Sequence, residues 1–405
     1  MAISATTTAN ITEYAYNPIW YKIQSSNWSN RNFKYIIDIY ATAVWPPSSY
    51  TRYKLPPSPD HSAYFSPARV LESFVKPVFT PTVIGFTAST NPYVLYSLSI
   101  GEEYDLSTGP IYTGTTIYSG LTNTGINIAL NAVKQIEDDH NLFSRIYTTG
   151  NTSPYLLSEW HLGYAKKVRS NDYETMSIYW ELDGFGEYTI LTFDSGSTQI
   201  GEFRITTGFD PLIHYHTIGV GPKNLNYTSF DYITSTNLPI LGSNVHTYQI
   251  YNSDTGSNKS NSYIFLYDRS ECLLFTPVRI AWLNRWGSFD YYGFTMATRN
   301  FVSRKNNEWN KFMGYGSTRG DRGTYNLNTE SKKTFTVTTD FILPNESTFL
   351  ETLFTSPEIY RVYDNGTYIP IQMVDKEFET KGDSDSLITY TLTFENVYDV
   401  QLQRS

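Results

Sequence analysis

His214 and His216 stand two residues apart, a spacing that puts both imidazoles on one side of a β-strand and would let them grip a metal ion together. A third ligand is needed, and His246 or Asp210 supplies it only if the fold brings one of them close. Two acidic clusters, Glu137-Asp138-Asp139 and Asp383-Ser384-Asp385, have the residue types of a calcium site or of a glycosidase pair. Neither has the ligand spacing of an EF-hand loop, and adjacent acids among Gly and Ser usually form solvated loops. Gly219-Val220-Gly221-Pro222-Lys223 combines glycines with a lysine, but its spacing and the following Asn224 fit a plain turn rather than a nucleotide cradle. Arg319-Gly320-Asp321, between Gly314 and Gly323, spells an integrin-type tripeptide that a flexible glycine loop explains equally well. The sequons Asn226-Tyr227-Thr228 and Asn365-Gly366-Thr367 matter only on a glycosylating secretory route. A Gly-x-Ser-x-Gly elbow, a His-Glu-x-x-His pair and a phosphate loop are all missing from the sequence. The expectation is therefore a non-enzyme, with no catalytic residue, metal or cofactor assigned.

What remains is aromatic. The segment from Thr276 to Phe294 reads as a strand to Leu283, a turn over Asn284 to Ser288 and a returning strand. Val278, Ile280 and Trp282 can fill a core, whereas Tyr292 and Phe294 fit either face. Trp and Tyr give large contact area at low entropic cost, so a protein interface, a sugar platform and ordinary sandwich core are all physically reasonable. The interface candidates are Trp282, Arg285, Trp286, Phe289, Tyr291, Tyr292 and Phe294.

The elements that would carry these residues are strands. Among 405 residues there are 35 Tyr and 23 Phe, while only 17% are charged. Hydrophobic residues make up 40% at a mean hydropathy of −0.36, so Ser, Thr and Asn rather than charge dilute the apolar content, as in half-buried strands and polar loops. A disordered chain is excluded. Ile388, Tyr390, Leu392 and Phe394 alternate with Thr389, Thr391 and Thr393, the period of a strand with one wet face. Thr334 to Val337 begins alike, and Phe33, Tyr35, Ile37 and Ile39 alternate with a mixed second face. Turns such as Asp364-Asn365-Gly366 and Ser253-Asp254-Thr255-Gly256 punctuate the runs at the spacing of antiparallel sandwiches.

Two short helices are expected on the sheets. Ser66-Pro67 opens one over 66–76, with Val70, Leu71, Phe74 and Val75 as its apolar stripe and Pro77 as its stop. Asn345 caps the other over 345–355, with Phe349, Leu350, Leu353 and Phe354 as the stripe and Pro357 as the stop. Ile126 to Leu142 is ambiguous between helix and strand. The fold expected is mainly β: consecutive antiparallel β-sandwich modules of Ig or jelly-roll type over 1–155, 156–284 and 285–405, with soft breaks near Thr148 to Ser158 and Asn284 to Ser288.

Charge and cysteine narrow the function classes. Thirty Lys and Arg against 39 Asp and Glu leave a net charge of −9, the wrong sign for a protein that neutralises phosphates, so sequence-specific nucleic-acid binding is not expected. Cys272 is the only cysteine, which excludes an intramolecular disulfide and any Cys-built cluster. The opening lacks a basic segment followed by an apolar run, and no stretch of roughly 18 apolar residues occurs, so a soluble chain without a cleavable signal peptide or membrane partner is expected.

Four stretches make the chain resemble a group of tailed-bacteriophage virion proteins from phages of Bacteroidetes hosts, including crAss-like phages. They are Asn32 to Tyr40 with the following Ser66 to Val75; Gly221 to Leu225; Thr276 to Phe294 with its Leu283-Asn284-Arg285-Trp286-Gly287 turn; and Leu353 to Val374 leading to Tyr390 to Phe394. They span nearly the whole chain in order, but they are structural motifs rather than a catalytic signature. The resemblance implies a structural part of the tail, tail ring or baseplate, assembled in the host cytoplasm, with other tail or neck proteins and further copies of itself in a ring as partners. An acidic surface beside a DNA channel would keep DNA from sticking. The alternative expectation is a carbohydrate-binding adhesin or receptor-recognition module, with Trp160, Trp180 or Trp286 stacking on sugar rings. A glycan-degrading enzyme would instead need two carboxylates roughly 5–10 Å apart in an aromatic cleft.

Overall fold

The computed structural model describes residues 3–7, 12–42, 49–105, 111–118, 127–135, 146–147, 156–180, 187–206, 215–226, 239–254, 257–258, 260–269, 274–375, 388–398 and 400–401. The protein is mainly β, built of several largely antiparallel sheets with short helices packed on them. Among the described residues three strand pairs are parallel: Asn127–Leu130 with Thr12–Tyr14, Ile146–Tyr147 with Thr175–Trp180, and Ala165–Arg169 with Tyr263–Asp268.

In the N-terminal region a three-stranded sheet (Ile3–Thr7, Tyr21–Ser25, Ser62–Phe65) faces a six-stranded one centred on Tyr93–Asp105 and Lys34–Thr42. Tyr35, Ile37 and Ile39 point into the core they share with Tyr21, Ile23 and Phe65, as the period of two requires. The other face of the same strand is buried too, and there Asp38 accepts two bonds from the Arg52 guanidinium at 2.6 and 2.7 Å. The ambiguous stretch after Ile126 resolves in its described part as the strand Asn127–Leu130.

A central sheet of six strands, with Glu187–Phe193 between Thr247–Asp254 and Gln199–Thr206, packs on a four-stranded sheet of Thr175–Trp180, Tyr215–Gly219 and two flanking strands. The last sheet has eight strands and runs from the hairpin Val278–Leu283/Phe289–Phe294 at one edge to Arg299–Asn310 at the other. One apolar cluster joins these sheets: Tyr188, Ile190 and Phe265 of the central sheet touch the same core as Trp282, Val337 and Phe394 of the last. The turn at Asn284 to Ser288, where a module break was expected, joins two paired strands of one sheet.

Helix α1 (Ala68–Leu71) is shorter than the expected 66–76. It buries Leu71, and Val75 just after it, whereas Phe74 is exposed. Pro67 rather than Ser66 takes the N-cap place, because one turn of helix suffices to seat a single leucine. Helix α2 (Pro222–Leu225) was not anticipated; its Gly221-Pro222 start is the proline-at-N1 arrangement in miniature. Helix α3 (Pro344–Thr355) begins one residue before the expected span, with Leu343 as cap and the Glu346 carboxylate accepting the Leu343 amide at 3.1 Å. Phe349, Leu350 and Leu353 are its buried face. Ile388, Tyr390, Leu392 and Phe394 are buried as the alternation predicts.

Candidate functional site

The aromatic hairpin forms where it was expected, but as interior. Trp282, Trp286, Phe289, Tyr291 and Phe294 are all 0–4% exposed. Both faces of the hairpin are covered by its own chain: Ile280, Trp282 and Phe294 by the large core, and Ala281, Phe289 and Tyr291 by Val362, Phe79 and Tyr360. The Trp282 indole donates to Thr352 Oγ1 of α3 at 2.9 Å, and its ring lies 5.0 Å from Phe349. These five residues are therefore corrected from partner surface to core, because no partner can reach side chains already covered on both sides of the sheet. Tyr292 is half-buried with its hydroxyl pushed up, first by burial and then by Glu346 and Asp340. Arg285 is also partly covered; its guanidinium grips Glu159 at 2.6 and 3.1 Å and lies over the Trp286 ring.

The hairpin turn fastens the N-terminal sheets to the rest. Trp286 sits in a cluster with Tyr14, Tyr93, Leu95, Tyr179 and Tyr215. Asn284 organises the turn from within: its Oδ1 accepts the amides of Trp286 and Ser288, and its Nδ2 donates to Leu157 O and Asp290 Oδ2 at 3.0 and 2.9 Å. Gly287 adopts φ 82°, and a Cβ there would lie 2.1 Å from Asn131 O, so only glycine fits.

Beneath the hairpin lies a buried charge network that the sequence did not reveal. Glu174 receives Lys166 Nζ on one carboxylate oxygen and Arg279 on the other, the latter at 2.5 Å, while Arg279 also lies 3.4 Å from Asp172. Two cations and two anions balance there, as burial demands. Burial pulls the Lys166 ammonium below its usual range against the attraction of Glu174.

The other sequence candidates scatter. His216 is buried in Tyr215–Gly219, whereas His246 is exposed before Thr247–Asp254, and His214 and Asp210 lie outside the described residues, as do both acidic clusters. Among the described residues no three His, Cys, Asp or Glu side chains converge as a metal site would require. The Gly219–Lys223 amides are spent on structure: Val220 and Gly221 both donate to Glu174 O at 2.8 and 3.0 Å, and Lys223 to Asp172 O at 3.1 Å. Asp321 is exposed and accepts the Thr318 amide and hydroxyl of its own loop at 2.6 and 3.1 Å, which holds its carboxyl below the usual range. Trp160 and Trp286 are buried and offer no sugar platform; the side chain of Trp180 is outside the described residues.

Two open surfaces stand out among the described residues. The first is a cavity of about 750 Å³ between α3, the hairpin turn and residues 131–135. Val133, Leu283 and Phe349 give it apolar walls, and Glu159, Glu351 and Glu358 give it carboxylates. Burial raises the Glu351 carboxyl, and the Tyr16 hydroxyl at the rim is raised by burial and by the charges of Glu72 and Glu358. Arg285 is the single Lys or Arg among the lining residues, and Glu159 already holds it.

The second is an arm. Strands Arg299–Asn310 and Thr324–Thr338 pair antiparallel along their whole shared length, out to Asn310 with Thr324. At about 3.3 Å per residue, the 12-residue strand is roughly 40 Å long. Thr334 to Thr338 are anchored by Thr391–Asn396, Ser331 and Glu330 pair with Val400 and Gln401, and Lys332 reaches Glu395 at 3.4 Å, but beyond Glu330 no third strand pairs with the ribbon among the described residues. Phe301, Val302, Trp309, Phe312 and Tyr315 are more than half exposed, and Tyr315 and Phe312 at the tip are exposed by 110% and 90%.

No family model and no curated protein matches this chain. The geometry must carry the functional reading. A two-stranded ribbon with apolar side chains on solvent-facing positions is marginal alone and acts as a template for contact with another molecule.

Proposed function

We propose that the protein is a non-catalytic structural component of a tailed-bacteriophage virion, of the tail, tail ring or baseplate kind, and that it works by protein–protein assembly. The observation that carries the reading is the exposed arm: a rigidly anchored sheet extends into a ribbon bearing Trp309, Phe312 and Tyr315, residue types that dominate binding energy at protein interfaces. The resemblance of the Thr276 to Phe294 and Leu353 to Val374 stretches to phage virion proteins supports the same assignment. In that role the buried hairpin and its charge network hold the sheets as one body, and the arm reaches a neighbour.

The test has two parts. Purified phage particles should contain this chain in stoichiometric amounts by mass spectrometry, and its absence would remove the virion assignment. Co-expressed with neighbouring tail components, the chain should elute from size exclusion as an ordered assembly, while alone it should be a monomer or weak oligomer. Co-elution unchanged after removal of the arm would remove the arm from the account.

A further inference from the structure

Charge divides this chain unevenly. Residues 299–338 hold eight Lys and Arg against three Asp and Glu, a net of +5, whereas all other residues hold 22 against 36, a net of −14. The arm is thus a basic extension of an acidic body. Its tip couples Lys311, Arg319 and Arg322 to Phe312, Met313 and Tyr315, so a matching surface would be apolar inside and acidic around.

The cavity beside α3 has that character. Val133, Leu283 and Phe349 form apolar wall, and Glu351 and Glu358 add negative charge that no lining Lys or Arg neutralises. Thr348 and Thr355 continue the rim along the exposed side of α3. The chain does not fill this groove with its own arm, since Phe312 and Tyr315 at the tip are almost entirely in solvent.

We infer that the arm tip of one copy docks in the α3 groove of a second copy of this chain. The inference rests on the assembly reading above and names the occupant of its arm. Because arm and groove are different patches, the contact is head-to-tail and propagates into a ring if the rotation closes, or a filament if it does not. Long-range attraction between a +5 arm and a −14 body steers the encounter, and the tip aromatics, once desolvated, hold it. Glu159 stays with Arg285, leaving Glu351 and Glu358 to meet the arm cations.

Directed cross-linking tests this in the full chain. On a Cys272→Ser background, which removes the only native cysteine, one preparation carries Tyr315→Cys at the tip and another Thr348→Cys at the exposed rim of α3. Mixed and oxidised, they should give a disulfide-linked dimer containing one of each. Glu351→Lys with Glu358→Lys in the groove partner should cut its yield about tenfold, as should Lys311→Glu, Arg319→Glu and Arg322→Glu in the arm partner, and the two reversed partners together should recover it. Unchanged melting of each variant confirms that the fold is intact, and if the groove reversal unfolds the chain, the arm reversal and the fall of yield with added salt decide. No mixed dimer, or a yield indifferent to both reversals, overturns the inference. If arm removal abolishes assembly with tail components while no mixed dimer forms, the assembly reading stands and the second copy is the wrong occupant.

Discussion

The hairpin at 278–294 and the arm at 299–338 are consecutive antiparallel ribbons at opposite edges of one eight-stranded sheet, and both are rich in aromatics. In the first, Trp282, Trp286 and Tyr291 are buried by their own chain; in the second, Phe301, Trp309 and Tyr315 stand in solvent. The difference lies in what is interleaved with the rings. Between Val278 and Leu283 the single charge, Arg279, is buried against Glu174 and Asp172, and the turn is bonded from inside by Asn284. Along the arm, Arg304, Lys305, Glu308 and Lys311 alternate with Asn and aromatic residues, so neither face can be dehydrated without a partner. Aromatic content marks contact area; charge pattern decides whether the contact is internal.

Changes in the hairpin should therefore cost the fold, and changes in the arm should cost only association. The largest effect is expected for Trp282→Ala, which removes a fully buried indole and its bond to Thr352 and should lose about 3–5 kcal/mol in denaturant unfolding. Glu174→Gln removes the carboxylate of the buried Lys166 and leaves Arg279 with Asp172 alone, and should cost about 3–5 kcal/mol; a loss below about 1 kcal/mol would mean that the network is hydrated. Phe349→Ala and Leu353→Ala should each cost about 2–5 kcal/mol, because both are buried beneath the central core. Unchanged melting would show that α3 does not seal it. Trp309→Ala and Tyr315→Ala should move stability by no more than about 0.5 kcal/mol while weakening the proposed assembly with tail components.

The smallest effect concerns pH. Burial raises the Glu351 carboxyl above its value in the unfolded chain. The folded state therefore binds a proton more readily, and stability falls as pH rises through that window, leaving the ionised form penalised near neutrality. Glu351→Gln should stabilise the chain by a fraction of a kcal/mol at pH 7, screened because the group is partly exposed, and by nothing once the carboxyl is protonated in both states. Equal stabilisation at both pH values would place the cause elsewhere than the charge.

Period-two patterning made much of the fold legible. Tyr390 to Phe394, Tyr35 to Ile39 and the Leu283 to Phe289 turn fall where alternation and Gly287 put them, because side-chain period and a left-handed turn are local properties. The site was less legible. Core and interface aromatics have the same composition, so Trp282 and Trp286 read as surface candidates although the sheets cover them. The Lys166–Glu174–Arg279 network spans over a hundred residues and has no local signature. The arm did leave a signal, in the glycines of 314–323 among aromatic and basic residues, but a glycine loop does not show how far the two strands it joins run beyond their sheet.

The division of labour between body and arm can be measured in one variant. Lys305 pairs with Glu330, the last ribbon residue held by a third strand among the described residues, so replacing residues 306–329 by Asn-Gly should close a tight two-residue hairpin on an intact base. If the account is right, this chain melts within a few degrees of the parent and no longer assembles with copies of itself or with tail components. A truncated chain that unfolds would make the arm part of the fold, and one that assembles as before would contradict the central claim.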